Sequence, residues 1–394
     1  MRVPSAGVPI TAADILRGLV ERDTRRLRDE LARLLDISHV GLTGTGCAAF
    51  YLILRSLAAR SDRTEVVLPA YTAPVVLLPV RQAGLRPVFA DVSLDTFNLD
   101  PASAADRLGP DTLAVMPAHM FGIPCDLDEL SRACKSAGAA LVEDAASAFG
   151  AALTGRAVGT IGTAGFYSFH RGKQITSVTG GAWATDDTGL AEAIEAEATA
   201  LDRPPLRRRA GLLARTLALS VVVRPRIYGL LNPLLEGYKD TAPHDDFDLH
   251  AYTALQAGVI RSMLGRLDAM IEARNARARR AWAILDDTEG IVLPDVPEHA
   301  EPAFNHCPLL VPAELRDRCI SAGRDTGVEC TILYGTTVFG AYNLDGTSCG
   351  GDCRRAAELA DRLVLIPCHP LVPMDKLEQA AEAIRNTVRR GTGQ

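Results

Sequence analysis

Leu141-Val142-Glu143-Asp144-Ala145-Ala146-Ser147 decides how the rest of the chain is read. A short apolar run ends in two acids and then in small residues. Such a run fits a strand covered on both faces that delivers polar side chains at its carboxyl end. Taken alone, the acids read as a pair of solvated loop carboxylates. The runs around them change that reading. Strand-like segments recur at His39–Thr43, Glu65–Pro69, Arg86–Asp91, Leu113–Pro117, Ala140–Glu143, Gly165–Phe169 and Ala182–Thr185. Helical stretches lie between many of them, such as Cys47–Ala59 and Leu127–Ala137. This alternation predicts an α/β fold, a mostly parallel sheet with helices on both faces. Ligands in such sheets bind outside the carboxyl ends of the strands.

Two further stretches put chemistry at that edge. Gly165-Phe-Tyr-Ser168-Phe-His170-Arg171-Gly172-Lys173 runs from an apolar strand into a loop with a hydroxyl, two basic side chains and a lysine, and Thr179-Gly-Gly181 follows. Read plainly, this is a surface loop with a solvated lysine. Read chemically, desolvation or neighbouring positive charge lowers the amine's pKa so that it can attack an aldehyde. Thr43-Gly-Thr-Gly46-Cys47-Ala-Ala lies between a strand and a helix, where backbone N–H groups can take a phosphate. The dinucleotide pattern G-x-G-x-x-G is broken by Ala49, which speaks against a nicotinamide cofactor. Phosphate loop, acid after a strand, and lysine after a later strand suit pyridoxal 5′-phosphate (PLP). An acid beside its ring nitrogen keeps that nitrogen protonated, and the ring then withdraws electrons.

Composition narrows the class. Forty-two basic against forty-eight acidic residues leave a net charge of −6, which argues against a general nucleic-acid binder. Nothing at the start reads as a signal peptide, and nine cysteines, an odd number, fit a reducing cytoplasm. Cys349 and Cys353 are the only close pair, and no second pair of ligands lies nearby, so no metal is expected.

The motifs in their order resemble those of the DegT/StrS-type aminotransferases, a branch of the fold-type I PLP enzymes with many sugar aminotransferases. Pro69-Ala-Tyr-Thr72, Asp95-Thr-Phe-Asn98, Pro117-Ala-His119-Met-Phe-Gly122, Glu143-Asp144-Ala-Ala, Ser168-Phe-x-x-x-Lys173 and Leu365-Ile-Pro367-Cys-His369-Pro370 carry it. The similarity is densest from Gly41 to Asp187, with weaker matches at Leu255–Arg274 and Leu363–Arg385. The resemblance implies a large PLP-binding domain over residues 1–245, with a seven-stranded-type sheet and a helical insertion at about 203–240. A smaller C-terminal α+β domain would cover 246–394. It implies Lys173 as the Schiff-base lysine and proton carrier, and Asp144 at the pyridine nitrogen. Ser168 and the backbone at Gly46 and Cys47 would hold the phosphate.

Several positions depart from the family. Ser147 stands where the family has Gln near the ring oxygen. Ala73 stands where an aromatic residue stacks on the ring. Tyr334-Gly335 replaces Tyr-Pro. The polar residue that the family supplies from the partner subunit falls near Leu249, where Asp248 or His250 could serve. His170 reads as a loop residue, because Lys173 is retained at the matching place. His119 and His369 read equally as packed or as catalytic.

The implied reaction is transfer of an amino group from an amino-acid donor, glutamate or glutamine, to a keto-sugar nucleotide or related cyclic ketone. It would serve the biosynthesis of an amino sugar or natural product, in a cytoplasmic homodimer. The alternatives are a PLP-dependent dehydratase or other PLP reaction on the same scaffold, and a PLP-binding regulatory protein without turnover. One segment stands apart. Ala210–Leu235 is apolar with interspersed Arg, led in by Arg207-Arg-Arg and interrupted by Pro225 and Pro233. It is too short and too charged to span a bilayer. It reads as a helical insertion over the entrance or the partner subunit, with contact at a membrane surface through 207–235 as the alternative.

Overall fold

The computed structural model describes residues 2–235, 245–344 and 353–393. Its strands are β1 (His39–Thr43), β2 (Glu65–Pro69), β3 (Arg86–Ala90), β4 (Thr112–Val115), β5 (Ala140–Asp144), β6 (Ala152–Leu153), β7 (Arg156–Ala157), β8 (Ala164–Ser168), β9 (Gly181–Thr185), β10 (Ala300–Glu301), β11 (His306–Leu310) and β12 (Leu363–Pro367). Seven form one sheet in the order β1-β9-β8-β5-β4-β2-β3. Neighbours from β8 to β3 pair in parallel. Only β9 runs against its neighbours, β8 and β1. These are the seven runs expected from the sequence, with ends shifted by one or two residues, the usual uncertainty at element termini.

The alternation of side chains along each strand explains the two-sided core. In β2, Val66 and Leu68 face one layer together with Phe50 and Ile53 of helix Gly46–Ala58. Val67 faces the other, with Val115, Leu141 and the Leu130 and Cys134 side chains of helix Asp128–Ala137. All are buried. Each aliphatic side chain removed from water in this way contributes about 1.5–3 kcal/mol. A sheet covered on both faces leaves only its strand ends open to a ligand.

Beyond the sheet, β11 and β12 pair antiparallel and pack with helices Arg316–Asp325 and Met374–Thr392. Their apolar residues join the core layer that contains Val66 and Leu68. Helix Ala254–Leu264 lies against the N-terminal helix Ala12–Val20, so close that a Cβ on Gly258 would sit 2.5 Å from the Arg17 carbonyl oxygen. Arg261 adds ion pairs to Glu21, at the end of that N-terminal helix, and to Glu30 of helix Arg25–Leu35. Helices Leu206–Val222 and Pro225–Leu235 form the expected helical excursion. Its two ends meet, because the Ala251 N–H donates to the Asp202 carbonyl at 2.9 Å. Among the described residues, no helix is long and apolar enough to cross a membrane. Of the cysteine pair singled out above, Cys349 lies outside the described residues.

Candidate active site

The carboxyl ends of β5 and β8 and the start of helix Gly46–Ala58 converge. Thr45 caps that helix, its hydroxyl accepting the Ala48 N–H at 3.1 Å. The helix itself leaves the Gly46 and Cys47 N–H groups without an acceptor. A Cβ on Gly46 would lie 3.1 Å from Ser168 Cβ, so the Ser168 hydroxyl is seated against this helix start. Gly181, in β9, allows the same crowding: a Cβ there would meet the Thr45 carbonyl oxygen at 2.4 Å. The bend before it is pinned by Thr179, whose hydroxyl donates to the Gly44 carbonyl at 2.9 Å. Gln256 Nε2 donates to the Thr179 carbonyl at 2.6 Å.

Glu143 and Asp144 are both buried, which overturns the plain reading of them as solvated loop carboxylates. They serve different ends. Glu143 accepts N–H groups from Gly159 (2.7 Å), Ile161 (2.6 Å) and Gly162 (2.7 Å). His119 completes its shell. The Cys125 N–H donates to His119 Nδ1 at 2.9 Å, so Nε2 carries the hydrogen and donates to Glu143 at 3.0 Å. Thus Glu143 ties the 159–162 loop to the end of β5, and His119 is a packed residue. His369 is packed as well, donating from Nε2 to the Pro4 carbonyl at 2.9 Å.

Asp144 faces the other way. Among the described residues its carboxylate accepts only the Ala146 N–H, at 2.9 Å. Burial raises its pKa, an effect partly offset by the charge of Lys173, by that N–H and by His119. Lys173 shows the mirror image. Burial lowers its pKa, and the charges of Asp144 and Cys47 partly restore it. Lys173 and Asp144 feel each other's charge without forming an ion pair. Lys173 Nζ donates to Ser147 Oγ at 2.9 Å. The Cys47 thiol, beside both, is pushed up to about 12, chiefly by burial, and stays neutral.

The backbone beneath Lys173 is fastened from two sides. Gln174 Nε2 donates to the Ser147 and Ala303 carbonyls, both at 2.6 Å. Buried Arg274 reaches the carbonyls of Lys173, Gly7 and Asn305, each at 3.3 Å. Neither role could be read from the sequence, because the carbonyls come from segments more than a hundred residues apart. Tyr334, singled out in the sequence where Tyr334-Gly335 replaces the family's Tyr-Pro, joins this cluster. Its phenol is raised by burial and by the charges of Asp144 and Cys47, so it neighbours both groups. Tyr71 holds that segment, its hydroxyl donating to the Tyr334 carbonyl at 3.2 Å and accepting the Tyr334 N–H at 3.3 Å.

The structure therefore brings Lys173, Asp144, Ser147, Ser168, Gly46 and Cys47 to one sheet edge. Ala73 is half-buried at the start of the short turn Pro74–Val76. His170 is exposed on its loop. Asp248 and His250 hydrogen-bond each other, and Asp248 pairs with Arg208. The Asp248 carbonyl also accepts the Thr45 hydroxyl at 2.9 Å, at the foot of the helix start.

Known proteins share this architecture. The model of the DegT/DnrJ/EryC1/StrS aminotransferase family matches residues 18–208 and 250–385. The dTDP-3-amino-3,4,6-trideoxy-alpha-D-glucose transaminase of Micromonospora megalomicea subsp. nigra is 28% identical over 378 residues, which is 94% of this chain and 91% of that one. The dTDP-4-dehydro-2,6-dideoxy-D-glucose 3-dehydratase of Saccharopolyspora spinosa is 32% identical over 304 residues, 75% of this chain and 64% of its own length. The aminotransferase TlmJ from Streptoalloteichus hindustanus superimposes with a TM-score of 0.80 at 22% identity, over 99% of this chain and 100% of that one, a likeness in fold.

Proposed function

The chain belongs to the DegT/DnrJ/EryC1/StrS aminotransferase family, and from that premise we propose that Lys173 and Asp144 work on a PLP cofactor to aminate a keto-sugar nucleotide or a related cyclic ketone. The donor would be an amino acid, glutamate or glutamine. The observation that carries this reading is a lysine amine held at 2.9 Å by Ser147 Oγ, three residues after Asp144, with burial making the amine easier to deprotonate and the carboxylate harder to ionise. Each waits for a partner of opposite need.

The residues present fit that cofactor. The two open N–H groups at Gly46 and Cys47, with the Ser168 hydroxyl against them, make an anion cradle at a helix start. Asp144 supplies the negative charge that a protonated ring nitrogen needs, which its own burial otherwise makes unfavourable. Ser147 Oγ orients the Lys173 amine at 2.9 Å. Lys173 Nζ, free to lose and regain a proton, is the group that moves hydrogen at the reacting carbon. When bound, PLP supplies the electron sink for charge that develops on that carbon. The neutral Cys47 thiol adds no negative charge beside the phosphate. The same reading has the chain acting as a cytoplasmic homodimer, with Asp248 or His250 as the polar residue offered across the dimer.

A dehydratase relative keeps a second reading open, loss of water from the sugar instead of gain of an amine. Retention of the amine at position 173 favours amination. Two measurements test the proposal. Protein treated with PLP and then borohydride should carry the reduced adduct on Lys173 by peptide mass. Donor amine should then be consumed one-for-one with aminated product across a panel of keto-sugar nucleotides. An adduct on another lysine would reject the site. Product formed without loss of donor amine would reject the transamination.

A further inference from the structure

The segment between the two matched stretches, residues 209–249, is not matched by the family model. It is a closed excursion, since its feet at Asp202 and Ala251 are hydrogen-bonded. Helix Leu206–Val222 buries Leu212, Thr216 and Ser220 on one face. Leu206, Ala210, Leu217 and Val221 recur at helical spacing on an adjoining face, with Leu206 77%, Leu217 46% and Val221 45% exposed. Leu230 of the second helix is 80% exposed. The second helix is held to the body by Tyr228, whose hydroxyl donates to Glu329. An apolar stripe is therefore presented outward by an anchored hairpin.

Its charge is one-sided. From Arg203 to Leu235 the sequence holds seven arginines and no Asp, Glu or Lys, in a chain of net charge −6. Arg208 alone among these arginines forms an ion pair among the described residues, with Asp248. A stripe of this kind against a symmetry-related copy of itself would set like charge against like charge. An apolar stripe flanked by arginines suits a surface that is negatively charged outside and oily beneath. We propose that the 206–235 hairpin docks this enzyme on an anionic phospholipid bilayer, lying in the interface rather than crossing it. Because the root of the hairpin reaches the helix start at Thr45 through Asp248, docking sets the site at the membrane surface. The inference is independent of which acceptor the site takes.

The test is co-sedimentation of the purified full-length protein with vesicles of phosphatidylcholine alone and of phosphatidylcholine with phosphatidylglycerol. Partition into the anionic vesicles should exceed that into the neutral ones by on the order of a hundredfold, and should fall as salt is raised. Leu217→Asp with Val221→Asp, and separately Arg207→Glu with Arg224→Glu, should each return the protein to the supernatant while its circular dichroism is unchanged. All four positions are exposed, so neither pair removes a core contact. Protein that stays in the supernatant with anionic vesicles overturns the proposal. So does unchanged partition of the Leu217→Asp, Val221→Asp protein. A fall in its molar mass in lipid-free buffer overturns it too, because the stripe is then an interface between copies.

Discussion

The turn that carries Glu143 and Asp144 and the hairpin at 206–235 treat polar and apolar groups in opposite ways. Around Glu143, four donors converge on one buried carboxylate, and every partner is a fixed backbone group or a histidine locked by its own second bond. On the hairpin, leucines and a valine stand in water beside arginines. The first arrangement is costly to disturb, because each buried group removed leaves another unpaired. The second is cheap to alter, because water accepts whatever is placed there. That difference explains why the family model runs through residues 139–181 and stops at the hairpin. On the proposed reading, chemistry constrains the sheet edge, whereas the excursion is free to answer some other demand.

Substitutions of graded effect can break or sharpen this contrast. The largest change should come from Asp144→Asn, with turnover falling about 10²–10⁴-fold. Its fold should not suffer. Burial raises the Asp144 pKa, so in the cofactor-free protein its ionisation lowers stability as pH rises above the ordinary carboxylate range. The Asn protein without cofactor should therefore unfold in urea, at neutral pH, no earlier than the parent. An earlier midpoint would mean that Asp144 is a structural acid like its neighbour.

Glu143→Ala should do the reverse, costing about 3–5 kcal/mol by urea unfolding, because it strands three N–H groups and a histidine. A cost below about 1 kcal/mol, the range of exposed ion pairs, would show that the 159–162 loop is held by other means.

Acid should act next. Burial holds His306 down to about 4 and His369 to about 3, so both are neutral in the fold. As pH falls below 6.5 the unfolded chain gains protons that the fold refuses. Stability should then drop by up to about 1.4 kcal/mol per pH unit for each histidine, down to those values. His306→Asn should flatten part of that slope in a pH series of urea midpoints. An unchanged slope would assign the acid sensitivity elsewhere.

The smallest effect belongs to the hairpin. Leu217→Asp with Val221→Asp should shift lipid-free stability by no more than about 0.5 kcal/mol for each change. A loss of several kcal/mol would show that the stripe is covered and that the contrast drawn here is false.

Much of this molecule was legible before its structure. Short apolar runs broken by helices announced the parallel sheet, because a strand covered on both faces cannot afford polar positions. The order of Gly46, Asp144 and Lys173 could be read because each follows a strand, and strand ends share one edge. The division of labour within Glu143-Asp144 could not be read from the two residues themselves; only the family resemblance pointed to Asp144. The two residues have the same chemistry, and only the 159–162 backbone and His119 on one side, against the lone Ala146 N–H seen on the other among the described residues, tell them apart. The place of Arg274 beneath the Lys173 carbonyl was equally hidden, since the two residues lie 101 positions apart in the chain.

By itself, then, the order of residues determined the layering of the sheet and which side chains reach its edge, because periodicity and turn chemistry are local properties. Which carboxylate is tied up and which is left waiting was decided by the tertiary structure. Burial and hydrogen-bond supply depend on segments that meet only when the chain has folded, and those two quantities set the charge a group can carry.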